Sequence, residues 1–216
     1  MNAATPHGAE AVVVLLAAGE GRRFGALKQL ASIEGEPMVR RVAHTLLCLH
    51  RPLLVVTGAG GDAVVAALAG LSVTYAPNPD WRDGLGTSLG VGIRAARERF
   101  PHATGALVCL GDHPLIDARA LQGMIDRHAQ TRDLIIASDH GGMPGPPVLF
   151  PADCFTELGA WCGAEGAQAW LRRQGARVER VPVDVTDVNT PADLDRVRRR
   201  LMRSRAPPLP RQGRFN

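Results

Sequence analysis

Lysine is almost absent from this chain: Lys28 is the only one in 216 residues, against 24 arginines. Long apolar runs are missing too. The longest, Ala11 to Ala18, falls short of the roughly 20 residues that a bilayer-spanning helix needs. Glu10 precedes it and no Lys or Arg stands upstream, which excludes a secretory leader there. The four cysteines form no C-x-x-C pair and no disulfide framework, so a reducing, cytoplasmic location is expected and no membrane contact. Aromatic residues make up only 4%, and none interleave with basic residues on a common face. That absence argues against specific nucleic-acid recognition.

What is there reads as one globular domain. Hydrophobic residues make up 45% and charged residues 21%, the ordinary balance of a cored protein. The net charge of +4 is unevenly spread. Eight of the 25 basic residues lie beyond Asp195 with no acid among them, leaving 17 basic against 21 acidic residues in the body. The expected organisation is a flexible N-terminus over 1–10, a single domain over 11–203 and a disordered Pro/Arg-rich tail over 204–216. Such a tail is a solvated charge run that can attract anions.

Apolar strands alternate with amphipathic helices along the body. Strands are predicted over 12–17, 53–57, 73–76, 106–110, 134–137 and 178–183. Helices are predicted over 37–49, 63–68, 88–100, 118–129, 165–174 and 191–202, with Pro37 and Pro191 in first turns and Thr190 as an N-cap. A strand as wholly apolar as Val12–Leu16 is buried on both faces. The fold class that follows is three-layer α/β/α around a mostly parallel sheet. Ligands of such sheets gather at the carboxyl ends of the strands, where four loops stand out: 18–28, 77–87, 110–114 and 187–191.

The first loop is the most informative. Gly19, Gly21 and Gly25 follow a buried strand, and glycines there let backbone N–H groups approach phosphate oxygens. A dinucleotide fingerprint would need glycine where Phe24 stands, and a Walker A loop would need G-K-[ST] around Lys28, which lies between Leu27 and Gln29. In a chain that otherwise uses arginine, a lone lysine in a phosphate loop points to a need for a compact ammonium. At the end of the apolar strand 106–110 stands Asp112, a carboxylate of the kind that holds Mg²⁺ beside substrate phosphates. In Asp187-Val188-Asn189, alternation puts Asp187 and Asn189 on one side of an extended segment. Either could complete a metal shell. Asp193 reads as first-turn helix charge.

The stretch from Leu16 to Leu30 resembles the MobA-like NTP transferase family, whose opening pattern L-A-A-G-x-[GS]-x-R-[MF]-G-x-x-K-x-L is met by Leu16, Ala17, Ala18, Gly19, Gly21, Arg23, Phe24, Gly25, Lys28 and Leu30. Ile33 to Val39, Gly111-Asp112-His113-Pro114 and Asp187 to Leu194 resemble later family segments. The resemblance implies a Rossmann-like, GT-A-like nucleotide-diphospho-sugar transferase fold and a nucleotidyltransferase activity dependent on Mg²⁺. It implies that Arg23 and Lys28 act on the triphosphate, that Asp112 holds the metal with Asp187 or Asn189, and that Leu16 to Gly19 and Gly21 contact the nucleotide. Asn78, Gly84 and Ser88 match a stretch that touches base and sugar in the molybdopterin branch.

On the acceptor side, His113, Gly145 and Pro147 are the candidates. Two departures stand there: Pro146 where the family has histidine, and Ala164 and Gln168 where it has an acid and an arginine. The reaction implied is transfer of NMP from an NTP, CTP first and GTP next, to molybdopterin, with pyrophosphate released. Alternatives are a sugar, polyol or lactate phosphate as acceptor, or a nucleotide-binding adaptor that escorts the cofactor to a client molybdoenzyme.

Overall fold

The computed structural model describes residues 11–205. The expectations for 1–10 and for the tail beyond 205 lie outside the described residues. In chain order the elements are β1 (Val12–Ala17), β2 (Ser32–Ile33), β3 (Glu36–Pro37), α1 (Met38–Leu47), β4 (Leu53–Thr57), α2 (Gly61–Ala67), β5 (Thr74–Pro77), α3 (Leu85–Arg99), β6 (Gly105–Leu110), α4 (Ala118–Gln130), β7 (Ile135–Asp139), β8 (Pro144–Pro151), α5 (Phe155–Gly159), α6 (Gln168–Gln174), β9 (Val178–Val181) and α7 (Pro191–Arg205). Seven strands form one sheet in the order β5-β4-β1-β6-β8-β7-β9. All run parallel except β8, which is antiparallel to both β6 and β7. The strands β2 and β3 pair only with each other.

Alternation along β1 builds both halves of the core. Val13, Leu15 and Ala17 pack with Val42 and Leu46 of α1, Val64 of α2 and Leu121 of α4. Val12, Val14 and Leu16 face Leu89 and Ile93 of α3, Phe155 of α5 and Trp170 of α6. All six β1 residues are buried, and burying each large aliphatic side chain contributes about 1.5–3 kcal/mol. This is the predicted three-layer arrangement.

The short pair β2 and β3 is absent from the sequence reading, and so is one strand of the main sheet, β8. It carries Pro144, Pro146, Pro147 and Pro151, and proline removes a ladder hydrogen bond. The strand exists because its prolines sit at its two ends and where the β7–β8 register jumps between Ala137 and Ser138, the places a sheet tolerates them. There the Ser138 hydroxyl donates to the Pro147 carbonyl at 3.0 Å.

A third, smaller core holds α7. Leu194 and Val197 pack with Ile33, Met38 and Val188, and Arg198 donates to the Ser32 carbonyl at 2.7 Å. Thr190 caps the helix as expected, its Oγ1 accepting from the Asp193 N–H at 3.3 Å. Asp193 does more than add charge. Its Oδ2 accepts from the backbone N–H groups of Thr190 (2.7 Å) and Asn189 (3.0 Å), a reciprocal capping box. Every predicted helix is present, with ends that shift by up to three residues: α1 starts only after Pro37, which stands in β3, α3 starts at Leu85, α6 starts at Gln168 and α7 runs on to Arg205, while the short α5 is unexpected.

Helix α3 lies close on the sheet at Gly92, where a Cβ would lie 2.7 Å from Val14 Cγ1 and 3.1 Å from Val56 Cγ2. Gly92→Ala is therefore expected to destabilise the fold by about 1–3 kcal/mol of overpacking, net of a helix-propensity gain of about 1 kcal/mol. Urea unfolding checks this; a midpoint equal to or above that of the wild type would refute it.

Candidate active site

Three of the four singled-out loops are tied together by backbone hydrogen bonds at the carboxyl ends of β1 and β6. Gly111 N–H donates to the Leu16 carbonyl at 2.9 Å, and Val188 N–H to the Asp112 carbonyl at 2.9 Å. Val188 is fully buried, so the residues on either side of it are turned away from the core.

Within that loop, Gly21 adopts φ 72°, and a Cβ on it would lie 2.5 Å from the Ala26 carbonyl oxygen. Only glycine fits such a turn. The loop then folds back so that Gln29, 3% exposed, sends its Nε2 to the Gly19 carbonyl at 2.5 Å and the Ala17 carbonyl at 3.4 Å. Gln29 has no counterpart in the expected site residues. Nothing in its local sequence distinguishes it from a surface glutamine.

Lys28 is brought by this fold to the centre of the site. Its Nζ lies 2.5 Å from Asp112 Oδ2 and 3.2 Å from Asn189 Oδ1. The Lys28 and Asp112 side chains are each 15% exposed. The other carboxylate oxygen, Asp112 Oδ1, is buried and has no hydrogen-bond partner among the described residues. Asp187 turns to a different partner: its Oδ1 lies 2.8 Å from Nε2 of the buried His113. That hydrogen bond, opposed by burial and helped by the charges of His113, His140 and Lys28, holds the Asp187 carboxyl below its usual range. The two residues expected on one side of their segment thus meet different partners, Asn189 the lysine and Asp187 the histidine.

These oxygens fit a divalent cation. A carboxylate with an unpartnered buried oxygen and a carboxamide oxygen, both within reach of one ammonium, are hard donors of the kind Mg²⁺ or Mn²⁺ takes. Among the described residues no group of three His, Cys, Asp or Glu is placed to hold a metal alone. One or two protein oxygens supplemented by phosphate and water is a usual magnesium arrangement.

Two cavities open beside this cluster. The smaller, about 440 Å³, is lined by Ala18, Gly19, Gly21, Arg22, Lys28 and Asp112 on one side and by Trp81, Arg82, Gly84 and Ser88 on the other. Leu16, Leu85 and Leu110 line both it and the larger one, of about 570 Å³. His113, Asp187, His140, Gly145 and Pro146 contribute to the larger cavity. So do the apolar side chains of Val108, Val148, Phe150 and Leu171.

Several expected site residues are placed otherwise. Arg23 is exposed and lines neither cavity, while Arg22, paired with Glu20, lines the smaller one. Ala17 points into the core and Pro147 is buried within β8. Asn78 is 2% exposed, and its amide is spent on Thr87 Oγ1 and Ser88 Oγ, both at 3.0 Å, and on the Asp80 N–H. It shapes the loop from beneath. The Arg82 guanidinium stacks 4.3 Å from the centroid of Trp81. The segment 159–166 borders both cavities, with Ala164 on the smaller and Glu165 and Gly166 on the larger; the sequence marks only its second half, on the acceptor side. The segment closes on α3, with Gly86 N–H donating to the Gly163 carbonyl at 3.2 Å.

The sequence profile of the MobA-like NTP transferase domain matches residues 13–178. The chain belongs to this family. Among curated relatives, the bifunctional protein GlmU of Xanthomonas campestris pv. campestris (strain 8004) is 37% identical over 133 residues, 59% of this chain and 27% of that protein. The chain therefore spans about a quarter of the length of such relatives. Nicotine blue oxidoreductase of Paenarthrobacter nicotinovorans is 29% identical over 193 residues, 85% of this chain and 91% of that one. Among solved structures, the manganese complex of Rv0371c from Mycobacterium tuberculosis H37Rv superposes with a TM-score of 0.72 at 25% identity, over 88% of this chain and 98% of that one. In this MobA-like domain the glycine loop, Lys28 and Asp112 stand together around the smaller cavity. No helix among the described residues is long and apolar enough to cross a membrane.

The seam between the loop 78–88 and the segment 159–166 gives a test. Gly84 has φ 118°, and a Cβ there would lie 2.3 Å from Ala164 Cα. Gly84→Ala is expected to push that segment away and raise the Kd for NTP by about tenfold, the equivalent of about 1.4 kcal/mol of overlap. Isothermal titration measures it, and an unchanged Kd would show that the seam does not shape the smaller cavity.

Proposed function

We propose that the protein transfers a nucleoside monophosphate from an NTP, CTP before GTP, to a phosphorylated acceptor, molybdopterin or the molybdenum cofactor built on it, and releases pyrophosphate. The observation that carries this reading is the Lys28–Asp112–Asn189 cluster under the glycine loop, at the junction of two cavities with a common wall. One cavity suits a nucleotide, the other its acceptor.

The reaction is an in-line displacement. An acceptor phosphate oxygen forms a bond to the α-phosphorus as the bond to the bridging oxygen breaks, and pyrophosphate leaves with that electron pair. Lys28 turns from Asp112 to the phosphates and offsets the charge that grows on them. Arg22 already faces the cavity; Arg23 would join only if the loop brings it inward. Asp112 and Asn189 would hold Mg²⁺, which supplies charge neutralisation at the α-phosphate. His113 holds Asp187 at the acceptor cavity.

The acceptor cavity also supports a second reading of the acceptor. Among the described residues Arg172 is the only Lys or Arg in its lining, beside His113, His140 and the carboxylates of Glu165 and Asp187, so the cavity suits a molecule with a single anionic group. With Pro146, Ala164 and Gln168 in place of charged or basic family residues, another small phosphate of sugar, polyol or lactate type stands beside molybdopterin. The intact Lys28–Asp112 pair favours turnover over a purely escorting role toward a molybdoenzyme. Such an enzyme belongs in the cytoplasm, where its nucleotide is made available.

Pyrophosphate release across the four NTPs, each with molybdopterin and with phosphosugar acceptors, tests the proposal. A positive pair is expected to lose about 10²-fold or more in kcat on Lys28→Ala, because the ammonium meets charge that develops during the reaction. No release with any pair, or unchanged turnover in the variant, would overturn it.

A further inference from the structure

The ion pair at the heart of the site raises a question of occupancy that rests on the reading just given. Lys28 Nζ is within hydrogen-bond distance of both Asp112 Oδ2 and Asn189 Oδ1. A divalent cation held by those two oxygens would stand about 2.1 Å from each, in the space that the ammonium closes. The charge count points the same way. Among the described residues Asp112 is the only carboxylate paired with the ammonium; Asp187 is paired with His113 and meets Lys28 only through its longer-range charge. With Lys28 in place the cluster is already neutral, and a second cation would meet a like charge at close range in a largely buried setting.

We propose that Lys28 is the resident cation of the nucleotide-free protein, holding the divalent-metal position closed until a triphosphate draws it away. The phosphates offer the ammonium a stronger anion than a single carboxylate. A flexible four-carbon stem lets it turn from Asp112 toward the glycine loop that the same cavity presents. Once it has turned, three oxygens are left for a cation: Asp112 Oδ2, Asn189 Oδ1 and Asp112 Oδ1, which accepts no hydrogen bond among the described residues and faces His113 Nε2 at 3.7 Å. Metal and nucleotide then bind with positive coupling, and linkage makes that coupling reciprocal. The same logic gives a reason for the chain's single lysine. A guanidinium would grip Asp112 with a planar two-pronged fork, a poorer group for an exchange that requires release.

The test measures Mn²⁺ binding to the full-length protein without nucleotide, by loss of the free-ion electron paramagnetic resonance signal. Lys28→Met keeps the stem and removes the charge; Lys28→Gln serves as a second variant, and circular dichroism with thermal melting establishes that each is folded. Both are expected to bind Mn²⁺ about tenfold or more tightly than the wild type, within the usual range of coupling between sites. A non-hydrolysable NTP analogue is expected to tighten Mn²⁺ binding to the wild type more than to the variants. Adding Asp112→Asn to Lys28→Met is expected to abolish the gain. Folded Lys28 variants that bind Mn²⁺ no better than the wild type would overturn the proposal, as would a gain that survives Asp112→Asn. Because metal binding is read without turnover, a chain that released no pyrophosphate could still pass this test, and an active one could fail it.

Discussion

The placement of β1 between two parallel partners, β4 and β6, is the constraint on which everything else in this molecule rests. Parallel register sends the chain out of β1, β4, β5 and β6 at the same end of the sheet. The loops that follow these strands therefore have no choice but to meet. Complete burial of β1 on both faces makes that register expensive to slip, because a shift by one residue would exchange the side chains facing α1 with those facing α3. A rigid strand then ends in a glycine-rich turn. The contrast between the fixed strand and the permissive loop is what a phosphate site requires.

The second organising feature is electrical. Lys28 and Asp112 are mostly withdrawn from water, and a pair in that setting is held by its own geometry more than by its net energy. Its neighbours are arranged so that each charge has a partner. Asn189 is fixed beside Lys28 through the capping box of α7 and the Val188–Asp112 backbone bond, and Asp187 is fixed by His113. The C-terminal helix, remote in sequence from the glycine loop, thus contributes to the site by anchoring one short segment against β6.

Much of this was legible in the chain itself, and the failures have identifiable causes. The bounds of β1 and β4 agree with their apolar runs, because strands buried on both faces are written as uninterrupted hydrophobic residues. The gathering of the loops that carry Lys28 and Asp112 at the strand ends followed from the fold class; the direct contact between the two did not. The strand β8 was hidden by its prolines, which local reasoning treats as breakers while the sheet accommodates them at a bulge. Asn78 is expected at base and sugar because its stretch resembles one in the molybdopterin branch; here burial turns it inward to brace Thr87 and Ser88. The choice between Arg22 and Arg23, and between Asp187 and Asn189, depends on the turn of a loop by a single residue. Neither periodicity nor composition resolves that. Gln29 carried no signal, and the segment 159–166 was marked only around Ala164 and only as acceptor side, since backbone carbonyls and glycine contacts leave little trace in residue type.

The common wall of the two cavities sets a limit on how this scaffold can diverge. Leu16, Leu85 and Leu110 border both chambers, so a change of side-chain volume at any of them alters the room for both ligands at once. Trp81 and Arg82 border one chamber alone, and Phe150 and Leu171 the other. Descendants of such a chain can drift toward a new base or a new acceptor independently through those outlying positions. Along the partition, any adjustment for one ligand must be acceptable to the other, which makes these three leucines the slow-changing hinge of specificity in a pocket whose outer rims are free to vary.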